Sequence, residues 1–265
     1  MEAAAPENST PRPEMLAVLR GDQPWHLEQG DSIEVLRSMP DASVDAVVTD
    51  PPYGLSEHTD IQTMVRYWFV GKEFDNKSSG YLGMDWDSFV PGPELWREVK
   101  RVLKPGGHLL AFSGSRTMDL MGIAIRFAGF EMRDTVLAWV YGIGKPKTLD
   151  ISKGIDSYAG AERKIIGTYT RRSGGYHIDG DGEEIEINVT EPATPEAKYW
   201  NGWGTGLKPG FEPVLVARKP LAASMTVVEN VLTHRTGGMN IGGCRVGGGR
   251  WPMNVLLCLL YTSDA

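Results

Sequence analysis

Cysteine is scarce in this chain: Cys244 and Cys258 are the only two, they form no CxxC pair, and such sparing use suits a reducing compartment. Clustered metal ligands are missing as well. The five histidines are single and scattered, without metal-ligand spacing, so no metal is expected. Long apolar runs are absent too. The longest, Val255 to Leu260, is far too short to span a bilayer. The start, Met1 to Pro13, is polar and rich in Ala, Pro and Glu, which excludes a secretory signal. These absences point to a soluble cytoplasmic protein with no membrane partner.

An overall positive charge is also lacking, since 27 basic side chains face 34 acidic ones for a net charge of −7. The distribution matters more than the sum. Residues 1–100 carry 8 basic and 18 acidic groups, whereas 145–172 carry 7 and 3, and 207–250 carry 6 and 2. A local basic face can hold phosphates whatever the total.

Against these absences stands one dense stretch, Asp50-Pro51-Pro52-Tyr53-Gly54. It follows Val44-Asp45-Ala46-Val47-Val48-Thr49, which is β-branched and apolar and reads as a buried strand. Neither proline can donate a backbone hydrogen bond, and the residue before a proline is held extended. Asp50 and Tyr53 are therefore displayed rigidly at the carboxyl edge of a sheet, where open α/β folds keep their ligands. A carboxylate, a free carbonyl and an aromatic face together suit the exocyclic amino group of a flat base. That amino group is a poor nucleophile, because its lone pair is delocalised into the ring. Two acceptors for its N–H bonds, Asp50 and the Pro51 or Pro52 carbonyl, favour a pyramidal nitrogen and aim the lone pair at an electrophile. Tyr53 would stack on a base taken out of the duplex.

The surrounding pattern is α/β. Residues 1–25 read as a flexible leader and 26–141 as the core. A short helix through Ile33, Val35 and Leu36 is capped by Asp31 or Ser32. Residues 55–92 read as an irregular, aromatic-rich loop. A helix from Pro93 to Leu103 stops at Lys104-Pro105-Gly106-Gly107, and a buried strand runs from His108 to Ser113. Arg116 to Ala128 and Glu131 to Tyr141 complete a β-α-β-α-β rhythm, which implies a doubly wound, mainly parallel sheet. Regularity fades over 142–206, which reads as an insertion. It returns as a core strand within 207–220, and 221–257 is a candidate target-recognition region, with one helix near 224–233. Lys145, Lys147, Arg171 and Arg172 are candidate phosphate contacts.

These residues resemble the N4/N6 amino-group DNA methyltransferases. The likeness rests on Gly30-Asp31-Ser32, on Ser43 to Tyr53, on Trp96 to Gly107, and on Leu207 to Pro220, which is similar to a segment of phage-like and orphan members. The resemblance implies a Rossmann-like fold and methyl transfer from S-adenosylmethionine to a flipped base in double-stranded DNA, in a bacterial or phage setting. It implies Asp50, Pro51, Pro52 and Tyr53 as the catalytic set, with Asp31, Ser32 and Asp50 at the cofactor. An aspartate opening the motif favours adenine N6 over cytosine N4. The motif's early position fits the permuted order, in which a glycine loop of the form Asp-Pro-Phe-x-Gly-Ser-Gly-Thr follows nearer the carboxyl end. No such loop occurs in the sequence, and Gly242 to Gly249 lies in neither a strand nor a helix context. The fold is accordingly expected to be incomplete at its carboxyl end, with 258–265 a truncated tail. A DNA-binding fragment without turnover is the other reading, and methylation of an RNA or protein amide is a weaker one.

Overall fold

The computed structural model describes residues 12–54, 60–74, 89–141, 148–172, 184–207 and 210–257. In chain order these form α1 (Pro13–Arg20), α2 (Ser32–Ser38), β1 (Val44–Thr49), α3 (Ile61–Phe69), α4 (Pro93–Val102), β2 (Leu103–Phe112) and α5 (Met118–Phe127). There follow β3 (Glu131–Val140), α6 (Ile151–Tyr158), β4 (Ile165–Arg172), β5 (Glu184–Thr190), α7 (Pro195–Tyr199), β6 (Phe211–Arg218), α8 (Val227–His234) and β7 (Val255–Leu257). The chain divides into two compact units, Met1–Tyr141 with Phe211–Ala265, and Gly142–Gly210.

The first unit is built on a five-stranded sheet of order β1-β2-β6-β3-β7. β1 and β2 pair in parallel, as do β3 and β7, while β6 runs antiparallel to both β2 and β3. This is the mixed, Rossmann-like α/β sheet the rhythm implies, with one strand reversed in its middle. The reversal follows from the connections, since β2 and β3 each reach the same sheet edge before the chain returns through β6.

One face of the sheet is closed by helices. Leu109 and Ala111 of β2 lie directly opposite Ala217 and Leu215 of β6. They are buried with Trp96 and Val99 of α4, Leu120, Met121, Ala124 and Ile125 of α5, and Met64 and Trp68 of α3. Burying a side chain such as Leu109 stabilises the unit by about 1.5–3 kcal/mol, so this cluster holds the strand ends in place. Pro93 begins α4 without losing a needed donor, and the cap after it is the extended Leu103 that opens β2.

Several elements differ from the sequence pattern. β1 is an edge strand among the described residues, and Val48 is 67% exposed rather than buried. Residues 13–20 of the expected leader are helical, with Met15 buried. Within 55–92, Asp60 caps α3 by accepting from the Thr63 amide. Lys104-Pro105-Gly106-Gly107 does not end the element but lies inside β2, where the register with β1 shifts between Val44 and Ala46. Gly106 takes φ +80° there, a value that favours glycine.

The second unit, expected to be irregular, holds α6, the β4–β5 antiparallel hairpin and α7. Its centre is Asp156, 1% exposed, whose carboxylate accepts from the Ala193 and Thr194 amides, the Thr194 hydroxyl and Arg163. Val255–Leu257, expected within a projecting recognition region, pairs instead with β3 in the main sheet. No helix among the described residues is long and apolar enough to cross a membrane.

Candidate active site

Topology gathers the site. β1, β2 and β3 all end at one edge of the sheet, and the reversed β6 begins there. Asp50-Pro51-Pro52-Tyr53 leaves β1 at that edge, Ser113 leaves β2, Tyr141 leaves β3, and Glu212 opens β6 opposite Trp139. The Ser113 amide donates to the Pro213 carbonyl at 3.0 Å, which ties the start of β6 to the end of β2.

The turn after β1 is rigid. Pro51 is buried, and Gly54, also buried, has φ +66°. A Cβ on Gly54 would lie 2.9 Å from the Val90 amide nitrogen, so backbone packing requires glycine at this position. The Tyr53 carbonyl accepts from the Thr117 hydroxyl at 2.6 Å, fixing the main chain from the loop that leads into α5.

The Tyr53 hydroxyl is hydrogen-bonded to both Asp50 and Glu212, and the Tyr141 hydroxyl donates to Glu212 as well. Burial, then Asp50 and Glu212, push the Tyr53 phenol far above its ordinary value. Burial and the nearby Asp50 carboxylate raise the Glu212 carboxyl, against the lowering effect of its two tyrosine donors. The edge thus offers two carboxylates and an aromatic ring in half-buried surroundings. Such a set accepts N–H bonds and favours positive charge.

The other expected residues sit as follows. The Asp31 side chain caps α2, accepting from the Ile33 and Glu34 amides at 2.9 and 3.1 Å, and Ser32 is the first residue of that helix. Arg171 and Arg172 end β4 in the second unit. Lys145 and Lys147 lie outside the described residues. Gly242–Cys244 and Gly247–Gly249 are short 3-10 turns that lead to β7 and not to a helix. No group of three or more His, Cys, Asp or Glu that could hold a metal ion occurs among the described residues. Sequence reasoning missed the roles of Glu212, Tyr141 and Thr117. The only local signal for Glu212 was its place one residue before a proline at the opening of an apolar strand.

Residues 44–174, which include the whole of this turn, match the DNA methylase family of the N6/N4 type. The chain carries an amino-group DNA methylase domain. The domain is 29% identical over 170 residues to the type II methyltransferase M.BamHI of Bacillus amyloliquefaciens, covering 55% of this chain and 36% of that protein. It is 23% identical over 228 residues to M.HindIII of Haemophilus influenzae, covering 79% and 63%. The chain therefore spans between about a third and two thirds of the length of these relatives. A crystal structure described as that of a DNA modification methylase from Thermus thermophilus, complexed with S-adenosyl-L-methionine, is 20% identical. It matches 74% of this chain and 56% of its own, with a TM-score of 0.34. The fold assignment rests on the strand order and on the family match, not on that likeness.

Proposed function

We propose that this methylase domain holds the exocyclic amino group of a flipped DNA base at the carboxyl edge of its sheet for methylation from S-adenosylmethionine. Adenine N6 is the favoured acceptor. The observation that carries this reading is Asp50 at the end of β1, fixed by two prolines and by a buried Gly54 that tolerates no side chain.

The residues do the following work. Asp50 and a proline carbonyl accept the two amino N–H bonds and orient the nitrogen lone pair. Tyr53 offers its ring to the base, which must leave the duplex because its amino group is paired there. Asp50 and Glu212 give the edge negative charge, which fits a sulfonium donor, and Asp31 at the head of α2 is proposed to hold its adenosine part. When bound, S-adenosylmethionine supplies an electrophilic methyl group. The proton that the amino group loses passes to a carboxylate at this edge.

The test is transfer of labelled methyl groups to unmethylated genomic DNA, followed by nucleoside analysis. N6-methyladenine is the expected product, and D50A should abolish it while leaving the circular dichroism unchanged. N4-methylcytosine would overturn the choice of base, and full activity in D50A would overturn the site.

The second reading, a DNA-binding polypeptide without turnover, is favoured by one observation. Among the described residues the glycine-rich 242–249 stretch joins no strand to a helix. Titration with S-adenosylmethionine separates the two readings: heat of binding supports the enzyme, and none from a folded protein supports the binding module.

A further inference from the structure

We propose that Glu212 is a positioning residue of this site, holding the Tyr53 hydroxyl when a substrate amino group takes Asp50. The proposal rests on the methylase reading above.

The geometry sets up a conflict that Glu212 resolves. Tyr53 has one hydroxyl proton and two carboxylate partners, Asp50 and Glu212. Asp50 is also the acceptor that an incoming amino group needs. A Tyr53 hydroxyl left on Asp50 competes with the substrate for the same lone pairs. Glu212 offers that hydroxyl an alternative acceptor without any movement of the main chain, which Thr117 holds separately through the Tyr53 carbonyl at 2.6 Å.

Glu212 is itself well placed for this role. It lies opposite Trp139 across the β3–β6 ladder, and Phe112 of β2 lies opposite Val214, two residues along β6. Glu212, Val214, Trp139 and Phe112 therefore share one face of the sheet, and the Phe112 and Trp139 rings meet edge-on with centroids 5.9 Å apart. The Tyr141 hydroxyl donates to Glu212 from the end of β3 and orients the carboxylate. The Pro213 carbonyl, bonded to the Ser113 amide, fixes the backbone beside it. The carboxylate is thus held on three strands at once, in largely aromatic surroundings where a hydrogen bond is little weakened by water.

The distinctive consequence is a second-site rescue. In E212A the Tyr53 hydroxyl has only Asp50, so the KM for DNA should rise about tenfold, the scale of one hydrogen bond to a charged group, with a smaller change in kcat. Removing the hydroxyl as well, in E212A/Y53F, should bring KM back toward that of Y53F alone. E212Q, which keeps an acceptor oxygen, should fall between wild type and E212A. A merely structural glutamate would not be rescued by a second truncation.

A double variant no better than E212A, or an E212A enzyme with wild-type KM, would overturn the assignment. An independent readout is the 13Cζ resonance of Tyr53 in tyrosine-labelled full-length protein, assigned by its loss in Y53F. It should move in both E212A and D50N. A resonance insensitive to Glu212 overturns the proposal even in a chain without turnover, whereas absence of methyl transfer by wild type refutes the methylase reading alone.

Discussion

Gly54→Ala is expected to be among the most damaging single-methyl changes in the first unit. Two separable costs arise. Gly54 has φ +66°, and an L-residue in that left-handed region is disfavoured by about 1–2 kcal/mol. The new Cβ would also stand 2.9 Å from the Val90 amide nitrogen and 3.3 Å from the Phe89 carbonyl carbon. Both are backbone atoms, so the strain is relieved only by shifting a chain segment, at about 1–3 kcal/mol. The sum is about 2–5 kcal/mol, a large share of a typical domain stability of about 5–15 kcal/mol. Gly21 is the internal control, since it has φ +80° and nothing lies within 4 Å of where a new methyl group would stand. G21A should show the conformational cost alone, and the difference between the two variants isolates the contact with Val90. Urea denaturation followed by tryptophan fluorescence measures both. Equal losses in G21A and G54A, or a G54A protein within about 0.5 kcal/mol of wild type, would refute the reasoning.

Other consequences follow from buried polar groups. Burial alone would raise the Asp156 carboxyl, but the Ala193 and Thr194 amides, the Thr194 hydroxyl and Arg163 hold it at about 2. A carboxyl depressed in the folded state contributes stability that is fully present above its unfolded value of about 4 and is lost as pH falls through about 2. Acid titration of the hairpin's NMR signals should show the second unit loosening over that window, with D156N removing the dependence. Asn230 is fully buried, accepts from the Ala222 amide and donates to the Pro105 and Thr236 carbonyls at 2.9 Å each. N230A should therefore cost about 2–4 kcal/mol in denaturant unfolding, and a loss under about 0.5 kcal/mol would refute its role as a clasp. W96A should cost about 3–5 kcal/mol, because the ring fills the centre of the helical layer.

What the sequence disclosed was what local pattern can carry. The strand before Asp50, the proline turn and the helix–strand alternation through Tyr141 are runs whose period or chemistry is self-contained. α3 was overlooked because its aromatics, Tyr67, Trp68 and Phe69, read as loop composition. Yet Ile61, Met64, Val65 and Trp68 already had helical spacing behind the Asp60 cap. Gly106 and Gly107 read as a stop because glycine and proline usually are one. Here the shifted register between β1 and β2 absorbs them into a strand. The second unit's elements are short, so no period builds up along them. Glu212 was invisible for a deeper reason: its neighbourhood is created by the reversal of β6, which is a property of the whole sheet and not of any window of residues.

That reversal also changes what the second unit is. β3 and β6 are antiparallel neighbours, paired as far as Val140 and Phe211, and residues 142–210 lie between them. Topologically the pair is a β-hairpin whose loop has grown into a folded body. Such a loop can be lengthened, shortened or exchanged for another sequence while both stems keep their partners, because the ends it must bridge are already side by side. The arrangement separates what is free to vary from what must stay fixed. Diversity can accumulate in the loop, while the strands beneath it continue to deliver Tyr141 and Glu212 to the same edge.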